Sequence, residues 1–465
     1  MHSFIKAIAK LTCLAGATYL ALTCQLAAAP LAFPLRVADD GRTLVDVKGE
    51  RVFLHGEAAW FMPKHSVLGE VEDYLSRRSK QGMNLVLLHA VSKEVTSASN
   101  RQGEFPFHNH DDILTPNEKY WEYLDAVLEM AERKGYLVGL APLWLRWGNG
   151  DKHGWREQLS AANAQPYAEF LARRYSSRQN ILWILGGDSD PGNRFHELNT
   201  MAEELARRVP HHLLTLHPNS QQNSSKWFGD SDWLEVDCVY TYEEPQRQAS
   251  QQWRAYAQAG RHRPMILIEG GYEKESNDLR GGSPHRMRRQ YYGSVLNGTL
   301  MGHAYGHRDI YPFKRDQWRR AIEDDGSRQM QHAATLFRSV AWWTLEPDVL
   351  DSTYLWYMQE LREGRFILSG RATVGSNEYA SAAVANDGRL AVVYLPTSRA
   401  ITVDLDRLEV QGALTARWFD PTSGATRAVT DLVPDARSLR VLVPPGRNAD
   451  GDSDWVLVLE VARHR

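Results

Sequence analysis

Asn180-Ile181-Leu182-Trp183-Ile184-Leu185-Gly186-Gly187-Asp188 and Met265-Ile266-Leu267-Ile268-Glu269-Gly270-Gly271 decide how this chain is read. Each is a nearly continuous apolar run closed by a glycine pair and a carboxylate. Continuous runs, as opposed to alternating ones, belong to strands buried on both faces of a parallel sheet. Six further short runs share the character: residues 51–55, 84–89, 137–144, 213–217, 236–242 and 302–305. Helix-period segments fall between most of them. Residues 67–80 place Leu68, Val71 and Leu75 on one face, and residues 120–134 place Trp121, Leu124, Leu128 and Ala131 on one face before Gly135. Pro166 suits a first helical turn, and the series Leu198, Met201, Leu205, Val209 ends at Pro210. Trp253 and Tyr256, then Met287, Tyr291 and Val295, then Met330, Ala334, Phe337 and Ala341 mark three later helices. Eight strands with interleaved helices predict an α/β fold, a (β/α)8 TIM barrel. A doubly wound open sheet would want a glycine-rich phosphate turn after an early strand, and none is present.

The flanks read differently. Residues 1–29 carry Lys6 and Lys10 and no acid. An apolar stretch from Leu11 to Leu22 follows, then Ala27-Ala28-Ala29 before Pro30. That order predicts a secretory signal peptide and a periplasmic or secreted protein; the apolar part is short for a membrane span. Its removal takes two lysines, Cys13 and Cys24, so the net charge moves from −3 to −5 and Cys238 alone remains. Within the apolar run 236–242, Cys238 reads as a buried, inert thiol. Residues 35–46 predict a hairpin ahead of the barrel, which with it spans 30–370. From 371 to 465, short β-branched runs punctuated by Asp387-Gly388, Pro396, Pro421 and Gly424 predict a C-terminal antiparallel β-sandwich.

Composition narrows the function. With 43% hydrophobic residues the chain can build a large core, and with 54 basic against 57 acidic residues it lacks the basic face of a nucleic-acid binder. The aromatic complement of 15 Trp, 19 Tyr and 13 Phe suits sugar rings as well as cores. Barrel enzymes work at the C-terminal ends of their strands. Reading those ends gives Glu57, His89, Trp144, Asp188, His217, Tyr240 or Tyr242, Glu269 and Tyr305. Asp188 and Glu269 close the fourth and seventh strands and face each other across the mouth. Glycoside hydrolysis uses such a pair, one carboxyl protonating the leaving oxygen while the other attacks the anomeric carbon or activates water. The adjoining glycine pairs would let backbone approach a ligand closely.

The chain also resembles the apiosidase-like glycoside hydrolases, (β/α)8 enzymes often fused to a small C-terminal β-domain. Residues 180–188 and 269–273 carry the likeness, with Gly302-His303-Ala304-Tyr305-Gly306-His307 and residues 342–348. Val393-Tyr394-Leu395-Pro396 and Trp418-Phe419-Asp420-Pro421 look like the appended domain, a type labelled as collagen-binding. No motif there supports collagen binding, and packing on the barrel is the expectation. The resemblance implies Asp188 as general acid/base and Glu269 as nucleophile, and the placement of the two acids on the fourth and seventh strands predicts retention of configuration. The family's first strand usually ends in a Gly-Asp-Thr-Ala-Trp-like run; here it is Gly56-Glu57-Ala58-Ala59-Trp60. That departure reshapes a sugar subsite, so glycosidase chemistry is implied and apiose as the sugar is not.

Further substrate-binding candidates are Trp60, Trp144 and Trp147 as stacking platforms, His89, His217, His303 and His307 for hydroxyls, Tyr242 to hold Glu269 ionised, and Arg146 for an anionic sugar. His108-Asn109-His110-Asp111-Asp112 has a His-x-His spacing, but it lies in a long loop, so no metal and no cofactor are assigned. The expectation is an exported, monomeric glycosidase acting on an oligosaccharide or polysaccharide, a complex glycan of the plant cell-wall, pectin type. The alternatives are a non-catalytic glycan-binding protein or a metal-dependent barrel hydrolase.

Overall fold

The computed structural model describes residues 30–93, 99–148, 153–275, 282–349, 364–409, 413–430 and 439–462. The expected signal peptide lies outside them. Eight parallel strands surround the core in chain order: Leu54–Ala58, Leu85–His89, Leu137–Ala141, Ile181–Gly186, Leu213–His217, Asp237–Tyr240, Met265–Glu269 and Gly302–Tyr305. The eighth pairs with the first, closing the ring on that side. The expected (β/α)8 barrel is therefore the fold. Inward positions form one apolar column, including Leu54, Leu85, Leu137, Leu182, Leu213, Cys238 and Ile266. Outward ones, such as Val86, Val138 and Trp183, pack beneath the helices.

The ring is stitched differently between strands five and six. A two-residue strand, Gln222–Asn223, pairs antiparallel with strand six. The Ser224 hydroxyl donates to Leu216 O at 2.5 Å and accepts from Cys238 N at 2.9 Å, so one side chain replaces part of a ladder. The connection here holds only the single turn Ser225–Phe228. Full helices follow the other strands: Leu68–Lys80, Glu118–Arg133, Ala164–Tyr175, Phe195–Arg208, Gln246–Gln258, Pro284–Val295 and Asp325–Ser339. Cys238 is buried against Thr215, and burial pushes its thiol up to about 12.

Ahead of the barrel, Arg36–Val37, Leu44–Val45 and Arg51–Val52 form a three-stranded antiparallel sheet rather than a lone hairpin. This sheet captures Arg51–Val52, so the first barrel strand begins at Leu54, three residues later than the apolar run suggests.

Two antiparallel sheets make the C-terminal unit. The six-stranded one runs Leu345–Pro347, Ser381–Ala385, Leu390–Leu395, Trp455–Val461, Leu414–Phe419, Thr426–Ala428; the other pairs Ile367–Ser369, Ile401–Asp404 and Leu439–Leu442. Leu345–Pro347 and Ile367–Ser369 thus join these sheets from ahead of residue 371. Alternation along the central strands sends Ala391, Val393, Leu457 and Leu459 into the sandwich core. Val392, Tyr394, Val456 and Val458 face the barrel core instead. Tyr394 stacks on Tyr292 with ring centroids 4.7 Å apart. Arg288 from the helix Pro284–Val295 reaches Asp454 at 2.7 Å, both side chains being buried. The sheet is a covering layer of the barrel on one face and half of a sandwich on the other.

Candidate active site

Strand four ends in three residues of positive φ: Gly186 at 80°, Gly187 at 118° and Asp188 at 41°. Glycine accepts this at no steric cost, and aspartate is among the few other residues that tolerate it. Gly187 is also pressed against a ring. A Cβ there would sit 2.5 Å from Trp144 Cδ2. The turn lifts the half-buried Asp188 to the rim, where its backbone N lies 3.4 Å from His217 Nδ1 and its Oδ1 accepts from the Tyr240 hydroxyl at 3.0 Å.

Glu269 reaches the same place by another device. On strand seven, Ile266 and Ile268 face the barrel interior, so strict alternation would send Glu269 outward. The register with strand six shifts here: Val239 pairs with Leu267, but Tyr240 pairs with Glu269. One extra residue on strand seven makes a bulge, which re-aims the next side chain. Glu269 then accepts from the Tyr272 hydroxyl at 2.8 Å and from the Tyr242 hydroxyl at 3.4 Å, both on Oε1, while His217 Nε2 lies 2.9 Å from Oε2. With the proton on Nε2, the His217 ring would donate to Glu269 and accept from Asp188 N; Pro218 O, 3.0 Å from Nδ1, favours the other tautomer. Either way one imidazole stands between the two strand ends. Burial pushes the Tyr240, Tyr242 and Tyr272 hydroxyls well above their usual range, and the neighbouring Glu269 carboxylate pushes the same way. They stay protonated and act as donors.

Aromatic rings wall the pair. Trp60 lies 4.9 Å from Trp144 and 5.1 Å from His89, centroid to centroid, and its Nε1 donates to Tyr272 Oη at 3.1 Å. Trp144 packs at 4.7 Å from His217. Phe61 stacks on Trp147 at 5.4 Å, nearly parallel. Burial first, then His217 and Lys64, hold the His89 imidazole at about 3, so it is neutral. Among the described residues, buried His89 Nε2 and Trp144 Nε1 have no hydrogen-bond partner. Orphaned atoms of this kind are normally met by water or ligand.

Trp60, His89, Trp144, Asp188, His217, Tyr240, Tyr242 and Glu269 therefore gather at one mouth. Five candidates do not, and three of them lie on the strands themselves. Glu57, one residue before the end of its strand, points outward and forms a buried ion pair with Arg78 and a hydrogen bond with Tyr74. Tyr305 donates to Glu273 in the same outer layer. His303 stacks on Tyr291 and lies 3.4 Å from Ser294 Oγ under the helix Pro284–Val295. All three sit at outward positions of the pleat, which the apolar runs alone could not reveal. His307 is turned towards Asp324 at 2.9 Å, and Arg146 pairs with Glu157 at 2.5 Å. The second glycine pair serves protein packing: a Cβ on Gly271 would sit 2.5 Å from the Arg286 guanidinium. Glu273 caps the helix Asp325–Ser339, accepting from Gly326 N and Ser327 N at 3.0 Å each. Among the described residues no three His, Cys, Asp or Glu side chains gather as metal ligands; His110 stacks on Phe105. Tyr272 is the residue sequence reasoning missed. Its place three residues beyond Glu269 was the available signal.

Comparison with known families decides the wider identity. The model described as "Apiosidase-like, catalytic domain" matches residues 38–344. The chain belongs to the apiosidase-like family. It is a glycoside hydrolase. A second model, "Putative collagen-binding domain of a collagenase", matches residues 367–460. A solved structure described as a glycoside hydrolase is 22% identical, with a TM-score of 0.76 over 94% of this chain and 99% of that one. A glycoside hydrolase family 5 protein from Bacteroides vulgatus is 24% identical, with a TM-score of 0.76 over 92% of this chain and 93% of that one. At these identities the likeness speaks for the fold. No curated protein matches.

Proposed function

We propose that this apiosidase-like hydrolase cleaves its glycan with Asp188 as general acid/base and Glu269 as nucleophile, with retention of configuration. The observation that carries the reading is the shared wiring of the two carboxylates. Tyr240 donates to Asp188, Tyr272 and Tyr242 donate to Glu269, and His217 contacts both strand ends. The Tyr272 and Tyr242 hydroxyls both donate to Glu269 Oε1 and orient the side chain in the mouth, with His217 Nε2 2.9 Å from Oε2. In the first step a Glu269 oxygen bonds to the anomeric carbon as the glycosidic C–O bond breaks, and Asp188 gives its proton to the leaving oxygen. In the second, water attacks the anomeric carbon, its proton passes to Asp188 and Glu269 is released. Trp60 and Trp144 wall the sugar, and the orphaned His89 Nε2 and Trp144 Nε1 meet its hydroxyls.

The substrate is a complex glycan of the plant cell-wall, pectin type, and residues 1–29 export the enzyme. A screen of pectic and hemicellulosic oligosaccharides against the purified protein tests the substrate. Asp188→Ala and Glu269→Ala should fold normally and lose turnover. Near-normal turnover in either variant rejects the assignment. Proton NMR of the first-formed anomer reports retention, and an inverted product would make Glu269 a base that activates water.

A further inference from the structure

We infer that a second carbohydrate subsite, for a neutral stretch of the same glycan chain, runs from the sixth strand end along the helix Gln246–Gln258; it rests on the glycosidase reading above. Two adjoining concavities of about 470 and 390 Å³ share Gln221, Gln248 and Gln251. Gln222 and Gln252 line the first together with Lys226, Asp230, Arg261 and Arg263. Thr241, Glu243, Glu244 and Arg247 line the second. Several of these charges are engaged within the protein: Arg261 and Arg263 donate to Gly229 O at 2.8 and 2.7 Å, and Glu244 pairs with Arg289 at 3.0 Å. The helix beside them reads Gln-Arg-Gln-Ala-Ser-Gln-Gln-Trp-Arg-Ala-Tyr-Ala-Gln, with neither acid nor lysine. Its charged positions are Arg247 and Arg254 alone, so amides dominate the polar side chains it offers. Amides both donate and accept without the desolvation cost of an ion, which matches sugar hydroxyls.

These amides are held in place. Gln248 Nε2 donates to Gln222 O at 2.6 Å, Trp227 Nε1 donates to Gln222 Oε1 at 2.9 Å, and Asn223 Nδ2 donates to Gln252 Oε1 at 3.1 Å. Gln221, at a φ of 66°, accepts from the Thr241 hydroxyl at 2.8 Å. The groove is also joined to the mouth. Gln221 N donates to Tyr240 O at 2.9 Å, and Thr241 and Glu243 flank Tyr242. The same stretch of backbone thus offers Tyr240 and Tyr242 to the carboxylates and Thr241 and Glu243 to the groove. Val374 and Gly375 of the C-terminal unit form its far wall, which gives that unit a part in holding a long substrate.

The test separates the groove from the chemistry. Neutral arabino-, galacto- and xylo-oligosaccharides of increasing length are titrated calorimetrically into Glu269→Gln protein with and without Gln248→Ala and Gln251→Ala, with galacturonic oligosaccharides as the charged arm. Loss of two amide partners should weaken a long neutral chain about tenfold and leave a disaccharide unaffected. Gln251 is exposed, so Gln251→Glu, which keeps its shape and removes a donor, should fold normally and give a smaller loss. Equal affinity for long chains with and without the amides, or a preference for the galacturonic arm, overturns the subsite. Aryl glycoside hydrolysis by the protein with Glu269 intact is followed in parallel. Unchanged hydrolysis beside unchanged long-chain affinity overturns the groove alone, whereas absent hydrolysis overturns the catalytic reading beneath it.

Discussion

Replacing Tyr272 by Phe removes one oxygen atom from the wall of the mouth. That oxygen donates to Glu269 at 2.8 Å and accepts from Trp60 Nε1 at 3.1 Å. A hydrogen bond to a charged group contributes about 1.5–3 kcal/mol, so a Glu269 that loses it should lower kcat/KM roughly 10- to 150-fold. Tyr242, at 3.4 Å, makes the longer contact, and Tyr242→Phe should cost only a few-fold. The buried Trp60 N–H is left without an acceptor, which should reduce stability by about 1–3 kcal/mol. The assay is steady-state hydrolysis of an aryl glycoside turned over by the unaltered enzyme, with urea unfolding of each variant beside it. A folded Tyr272→Phe enzyme within about threefold of the parent would refute the reasoning. So would a Tyr242→Phe enzyme more damaged than it.

Three other outcomes follow from the same geometry. Gly187→Ala drives a methyl group into the Trp144 ring and displaces Asp188; activity should fall about 100-fold, as misplacement by an ångström does elsewhere, and a folded variant of near-normal rate would dissociate the ring from Asp188. Breaking the buried Glu57–Arg78 pair with Glu57→Ala should cost about 3–5 kcal/mol in urea unfolding, whereas Glu57→Leu with Arg78→Met should restore much of it; a loss of kcat with stability unchanged would return Glu57 to the site. Burial holds the His303 imidazole at about 3, against about 6.5 unfolded, so the unfolded chain takes up that proton first as pH falls. Stability is lost below about pH 6.5, at about 1.4 kcal/mol per pH unit from this group, and His303→Asn should flatten the unfolding free energy by that slope between about pH 6 and 4; equal slopes would show that His303 titrates normally in the fold.

Much of the barrel was legible because its strands are buried on both faces. NILWILGGD and MILIEGG advertise that with unbroken apolar runs, and their acids stand at the strand ends. The sandwich strands 390–395 and 455–461 were legible as runs of β-branched and apolar residues, although both faces of that sheet are covered. Facing direction was not legible. His89 and Glu57 both lie at the end of an apolar run, yet the pleat and the capture of Arg51–Val52 by the N-terminal sheet send one to the mouth and the other to Arg78. The bulge that returns Glu269 to the mouth leaves no trace in composition, because it lies in the offset between two strands. The single-turn connection after strand five was hidden for a similar reason. Ser224 bridges that gap through tertiary partners 8 and 14 residues away.

The pairing of Asp188 with Glu269 is tested most directly by trapping the covalent intermediate. Asp188→Ala protein, impaired in releasing the sugar, is incubated with an activated aryl glycoside carrying a good leaving group, then digested and analysed by mass spectrometry. One glycosyl unit esterified to Glu269, and to no other carboxylate, is the expected result. A glycosyl unit on a different residue, or rapid turnover to an inverted product with no adduct, would contradict the assignment of Glu269 as nucleophile.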